Sequence, residues 1–356
     1  MRALAVIFLL FLSAVALMAD EAWVVVTLDR IEFQGNLVEW PRFKGNPINF
    51  VSVVASGNSY QKLAWPGTGW YTIADEGAEL IQDTEAIPLF ALPLNRMGKR
   101  LGIAIQFLGN TDYDWDHRHI PEKLSELEKS LRRELFRNLP ALNIPPRDER
   151  EQEPLEWREA PYVDFAPYIR VFSSDVWEKT DIRAFSAEVH QRYVVGGATP
   201  AAVRFYYSIR KVSLPAGLRA RVRLEGIKTV ENGDTLKGEI FIQARTMWGF
   251  APSGAPLQRV LRIPSSGHYS MGDGDEKVLS VTLFEGEVAP FLYVEVMVWD
   301  EDNPEVNDQH DLLGGLFGLW LPWRLSNLPG GEKRIVFPKS TPDGEVLIYL
   351  RVERLD

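Results

Sequence analysis

The chain has 356 residues, 46% of them hydrophobic, and carries 39 basic against 49 acidic side chains for a formal charge of −10. That apolar content is ample for two cores, and the length is large for one. A negative balance of this size repels nucleic acid and anionic lipid and attracts cations, which argues against nucleic-acid binding. There is no cysteine, which removes disulfides, a thiol nucleophile and a lipid-linked N-terminal Cys.

The first residues, MRALAVIFLLFLSAVALMADEA, join a single Arg2 to an apolar run from Ala3 to Leu17 and small residues near Ala19. This is the pattern of a secretory signal peptide over 1–19, so the expected destination is periplasmic, cell-surface or extracellular. A retained anchor is the alternative, although a spanning helix needs about 20 apolar residues. β-Branched and alternating stretches then predict strands over 23–31, 48–54, 71–74, 78–82, 87–92 and 101–107. Trp65-Pro66-Gly67-Thr68-Gly69-Trp70 reads as a turn framed by aromatics. In the last of these strands Leu101, Ile103, Ile105 and Phe107 alternate with Gly102, Ala104 and Gln106.

The pattern then changes period. Pro121 suits a first helical position, and Leu124, Leu127, Leu131 and Leu135 recur at helical spacing. Glu122 and Glu126 near the start and Arg132, Arg133 and Arg137 near the end suit the helix dipole, and Pro140 closes the segment. One amphipathic helix in a strand-rich chain reads as an insertion lying across a sheet face. Residues 140–161 are Pro-rich and charged and read as an extended connector. Strands are expected again over 168–172 and 187–195.

Three anchors then repeat in order. VTLDRIEF from Val26 shares a Val-x-Leu-x-x-Ile frame with VRLEGIKT from Val222. The alternating strand 101–107 matches 293–298. Thr-Pro precedes Val203, Phe205, Tyr207 and Ile209 in one place and Val346, Ile348, Leu350 and Val352 in another. An ordered set of this kind indicates a duplicated unit. The expected fold is therefore all-β: two tandem antiparallel β-sandwich domains, 20–214 and 215–356, the first carrying the helix and Pro-rich connector as an insertion over 112–185. Eight strands are expected in the second, near 219–227, 237–244, 257–263, 278–284, 291–299, 316–321, 334–337 and 345–352.

The densest chemistry lies in YVEVMVWDEDNPEVNDQHDLLG, from Tyr293 to Gly314. A strand with Val294, Val296 and Val298 on one face runs into a loop holding Asp300, Glu301, Asp302, Glu305, Asp308 and Asp311. Carboxylates this close repel one another unless a cation or water compensates, and clustered oxygen donors suit a hard cation such as calcium. The plainer reading is an acidic, solvated turn. In the first half, Asp112, Asp114 and Asp116 beside His117 and His119 could hold a transition metal, but on an exposed hinge they read more simply as solvated.

The strand, its Asp-x-Asp loop and the Asp-x-hydrophobic-Gly return resemble the C2 domain, an eight-stranded sandwich that binds calcium with loops at one end. The resemblance covers about 140 residues. It implies that Asp300 and Asp302 are the Asp-x-Asp pair and that Asp311, three residues before Gly314, is the later Asp, with Asp308 competing by spacing. It further implies ligands from the loop Val230 to Gly238, which offers Glu231 and Asp234. The family's Asp-Pro-Tyr after that loop is missing, with Lys237-Gly238-Glu239 near its place. In the first unit Gly109 and Thr111 stand where Asp300 and Asp302 do, so a lost or rebuilt site is expected there. An immunoglobulin-like or jelly-roll module with an acidic loop is the alternative fold.

C2 domains commonly dock on phospholipid, but here the loops offer only Val306 and Leu236 as apolar tips, and the acidic loop has no Lys or Arg. Membrane docking is therefore disfavoured. The expected function is a non-enzymatic exported binding or structural protein, with calcium ordering the loop or bridging to a protein or cell-surface partner. The first alternative is carbohydrate binding through Trp40, Trp65, Trp70, Trp248, Trp320 and Trp323, against which stands ordinary core packing. The second is hydrolysis, for which the chain offers no Gly-x-Ser-x-Gly, no His-Glu-x-x-His and no phosphate loop.

Overall fold

The computed structural model describes residues 21–35, 46–67, 71–73, 86–110, 119–136, 162–192, 201–214, 217–231, 237–288, 290–301, 311–326, 333–341 and 344–355. The expected signal segment 1–19, strand 78–82 and connector 140–161 lie outside these residues. In chain order the first part comprises β1 (Glu21–Gln34), β2 (Asn46–Ser56), β3 (Ser59–Trp65), β4 (Tyr71–Ile73), β5 (Ile87–Pro93), β6 (Arg100–Asn110), α1 (His119–Phe136), β7 (Tyr162–Asp164), β8 (Tyr168–Ser173), α2 (Asp175–Glu178), β9 (Ile182–His190) and β10 (Ala202–Leu214). The second comprises β11 (Arg219–Glu231), β12 (Gly238–Phe250), β13 (Pro256–Ile263), β14 (Tyr269–Met271), β15 (Glu276–Glu287), β16 (Leu292–Asp300), β17 (Asp311–Trp320), α3 (Pro322–Ser326), β18 (Lys333–Thr341) and β19 (Gly344–Arg354).

The fold is all-β, in antiparallel sandwiches. The first has one sheet ordered β5-β1-β10-β9 and another built on β3-β2-β6, with β7 and β8 both on the far edge of β6. The second has β15-β11-β19-β18 facing β13-β12-β16-β17. With the three-residue strands β4, β7 and β14 set aside, both follow one plan: fourth-first-eighth-seventh in one sheet and third-second-fifth-sixth in the other. The repeated sequence frames fall on equivalent strands, β1 with β11, β6 with β16 and β10 with β19.

A local detail repeats as well. The pairing of β1 with β10 slips between Leu28 and Arg30, and that of β11 with β19 slips between Leu224 and Gly226. Aligned on the Val-x-Leu-x-x-Ile frame these are the same place, so both sandwiches carry one bulge, at Asp29 and at Glu225. Each bulge carboxylate is held by its own sheet. Asp29 accepts from Thr27 Oγ1 at 2.6 Å and from the Ser208 hydroxyl, and Glu225 pairs with Arg351 at 2.5 Å.

The outer face of the third-second-fifth-sixth sheet is apolar in both halves and must be covered. In the first it is covered by α1. Leu127 and Leu131 of the helix pack with Val51, Val53, Ala55, Ala104 and Leu108 of β2 and β6. The predicted leucine spacing thus forms the buried stripe, with Leu124 and Leu135 at its margins. In the second sandwich the same face is covered by the first sandwich itself. Phe241, Met247, Tyr293, Met297, Trp299, Phe317 and Leu319 join the cluster that fills the first sandwich, and Trp65 meets Phe317 at a ring distance of 5.1 Å. Consequently every residue of β16 is buried: Val294, Val296 and Val298 in their own sandwich, Tyr293, Met297 and Trp299 towards the other. Among the described residues no helix is long and apolar enough to cross a membrane.

Candidate functional site: the loop end of the second sandwich

Strand register decides which loops meet. β16 ends and β17 begins with Asp300 directly opposite Asp311. β11 ends at Glu231, which lies opposite Glu345 of β19, next to the turn between Thr341 and Gly344. β12 starts at Gly238, and its Ile240 is paired with Asp300. The strand ends at Glu231 and Gly238, at Asp300 and Asp311, and at Thr341 and Gly344 therefore lie at one end of the sandwich.

Asp300 is buried and turned onto the first residues of β12. Its Oδ1 accepts the backbone N–H of Glu239 at 2.6 Å. The carboxylate lies against Gly238 with Oδ2 foremost, and an added Cβ there would stand 3.0 Å from Asp300 Cγ. Only glycine leaves room for that approach. One residue on, Glu301 N–H donates to the Glu239 carbonyl at 2.9 Å, so the acidic connection leaves the sheet still tied to β12.

The Glu301 side chain already has a cation. Arg262 Nη2 donates to its Oε2 at 2.8 Å, while the same guanidinium lies 4.4 Å from the centre of the Phe241 ring and donates to the Pro264 carbonyl at 3.1 Å. His268 Nδ1 stands 3.5 Å from Glu239 Oε2 and 3.8 Å from Glu301 Oε2. Arg262 and His268 flank the turn between β13 and β14 and belong to no recognisable motif, so sequence reasoning had no means of assigning them to this end.

Of the six expected ligands, Glu231 is exposed at its strand end, Asp300 is placed as above, and Asp311 is fixed by its backbone pairing. Asp302, Asp308 and Asp234 lie outside the described residues. Among the described residues no three His, Asp or Glu side chains stand close enough together to hold a metal ion. Asp112, Asp114, Asp116 and His117 also lie outside them.

The aromatic candidates for sugar binding are divided. Trp65 and Trp320 are buried, and Trp248 is half-buried against Phe284 with ring centres 5.5 Å apart. Trp40 and Trp70 lie outside the described residues, as does the Trp323 side chain. Trp65 and Trp320 are thus core residues, unavailable to a sugar face.

No family model matches the chain, and no curated protein matches it. Among solved structures it is similar to the calcium-bound pair of C2 domains of Extended-Synaptotagmin 2, at 11% identity over 94% of this chain and 97% of that one, with a TM-score of 0.25. It is similar to human GIVD cytosolic phospholipase A2 at 9% identity over 95% of this chain and 33% of that one, also with a TM-score of 0.25. Likeness at this level decides neither family nor function.

Proposed function

We propose that the chain is an exported, non-enzymatic binding or structural protein of two C2-like sandwiches, with calcium held at the loop end of the second. Asp300, Asp302, Asp308 and Asp311 would supply the ligands, with Glu231 or Asp234 from the neighbouring loop. The observation that carries this reading is the register that sets Asp300 directly opposite Asp311. Like charges at directly opposite positions of a sheet are destabilising unless something compensates. A carboxylate has about four lone-pair sites, so accepting the Glu239 N–H does not by itself bar Asp300 from ligating a cation. In this reading the ion stiffens residues 301–310 and presents them to a protein or cell-surface partner. The buried state of Trp65 and Trp320 weighs against the sugar-binding alternative.

Calorimetric titration of the full chain with calcium tests the proposal. Saturable binding that is lost in Asp302→Asn and weakened in Asp311→Asn is expected. An absence of heat and of thermal stabilisation in the wild type would leave the acidic connection as a solvated turn.

A further inference from the structure

The apolar contact between the two sandwiches contains a buried polar group that the fold itself does not require. Arg245 of β12 and Glu295 of β16 are 5% and 2% exposed and directly paired across the strands, with Nη2 donating to Oε2 at 2.6 Å. Both lie on the sheet face that meets the first sandwich, and the first sandwich supplies each with a further partner. The Ala64 carbonyl accepts from Arg245 Nη1 at 3.1 Å, and the Gly67 N–H donates to Glu295 Oε1 at 3.1 Å. Trp65 Nε1–H donates to the Tyr293 hydroxyl at 2.9 Å, and that hydroxyl donates on to Glu295 Oε2 at 3.4 Å. Burial, reinforced by the Glu295 carboxylate, raises the Tyr293 phenol well above its ordinary pKa, so it remains a neutral donor. Gly67 is shaped to the guanidinium: a Cβ there would lie 2.7 Å from it. Trp65-Pro66-Gly67, read from sequence as part of a turn framed by aromatics, is therefore the first sandwich's half of this contact.

The duplication supplies an internal comparison. With β6 aligned on β16, Glu295 corresponds to Ala104, and the residue paired with Ala104 is Val53. Val53 and Ala104 are fully buried beneath α1. The same position of the same sheet thus accepts an apolar pair where the covering element is a helix of its own sandwich. It holds an ion pair where two separate sandwiches meet. Apolar burial is non-directional, and two smooth sheet faces can satisfy it in more than one register. A buried ion pair adds little net stability against an apolar replacement, but any displacement leaves its charges unpaired.

We infer that Arg245 and Glu295, with Tyr293 and the Trp65–Gly67 turn, form an orientation lock that selects one relative placement of the two sandwiches. The lock holds the second sandwich's loop end at a fixed angle to the first, whatever those loops bind.

The absence of cysteine allows a direct test. Spin labels at Ser125→Cys on α1 and Val278→Cys on β15, both exposed positions, report the distance between the sandwiches. In the otherwise native chain a single narrow distance is expected. In Arg245→Met/Glu295→Leu, which keeps volume while removing charge, the chain should remain folded with its melting temperature kept or raised, while the distance distribution broadens or splits. A distribution as narrow as the parent's, with or without lost stability, overturns the inference. If that double variant does not fold, Gly67→Ala serves instead. It changes no charge and pushes the guanidinium off Glu295, so the distance should shift or broaden, and an unchanged distribution overturns the lock.

Discussion

The seat of α1 on β6 gives a prediction that depends on one atom. Gly102 lies under the helix, and a Cβ added there would stand 2.7 Å from Leu131 Cδ1 and 3.1 Å from Leu135 Cδ2. Leu131 is fully buried and cannot swing away into solvent. Gly102→Ala should therefore cost about 1–3 kcal/mol through overpacking, offset by about 0.4–1 kcal/mol because alanine restricts the unfolded chain. Leu131→Ala alone should cost about 2–5 kcal/mol as a truncation that leaves a cavity. Together they should cost clearly less than their sum, since the closer clash, with Leu131, is gone, the half-buried Leu135 can shift, and the new methyl fills part of the void. In the Leu131→Ala background Gly102→Ala should even become stabilising. Urea denaturation of the four proteins of the cycle measures this, and a coupling of about 1–3 kcal/mol is expected. Additivity to within about 0.5 kcal/mol would refute the close seating of the helix.

Other outcomes follow from the same packing and charges. Phe317→Ala removes a fully buried ring that meets Trp65, and should cost about 3–5 kcal/mol in denaturant unfolding; a cost typical of a surface site would contradict the shared core. Asp275 is held below the usual carboxylate range by the Gly272 N–H at 2.9 Å and then by Lys237 at 3.2 Å. Its contribution to stability is complete above the unfolded value of about 3.9 and is lost as pH falls through the lowered folded value. A titration followed by NMR should place its midpoint below that of an unfolded Asp and move it upward in Lys237→Met; a midpoint at or above the unfolded value would show that the turn does not hold the anion. Trp65→Phe keeps an aromatic ring but deletes the donor to Tyr293, and should cost about 0.5–1.5 kcal/mol beyond the loss of apolar area, read from the same denaturation curves. No change would remove that bond from the account.

Much of the strand content was legible because alternation reports one buried face. The second face of β16 was not. Tyr293, Glu295 and Met297 look from sequence like a mixed outer face, and what buries them is the other sandwich, whose Trp65, 228 residues before Tyr293, donates to the Tyr293 hydroxyl. β3 was missed because Gln61 and Lys62 weaken its apolar pattern and the Trp-Pro-Gly signal that follows dominates. Its hairpin turn is the two-residue Gly57-Asn58, with Gly57 at φ +59°. β9 begins at Ile182, five residues before the predicted start, because an edge strand exposes both faces and shows little alternation there. At the loop end, Asp300 is recognisable as a strand terminus. The turn of its carboxylate onto Glu239 depends on Gly238, which opens a different strand 62 residues earlier and is invisible to local pattern. Arg262 and His268 reach the same end through sheet pairing alone.

The proposed calcium site is tested most directly by a crystal structure of the full chain grown with calcium. The account predicts one ion at the loop end of the second sandwich, with oxygens of Asp302 and Asp311 among ligands at about 2.3–2.6 Å. Connections 232–237 and 301–310 standing apart with no ion between them, at calcium concentrations that saturate ordinary sites, would contradict it.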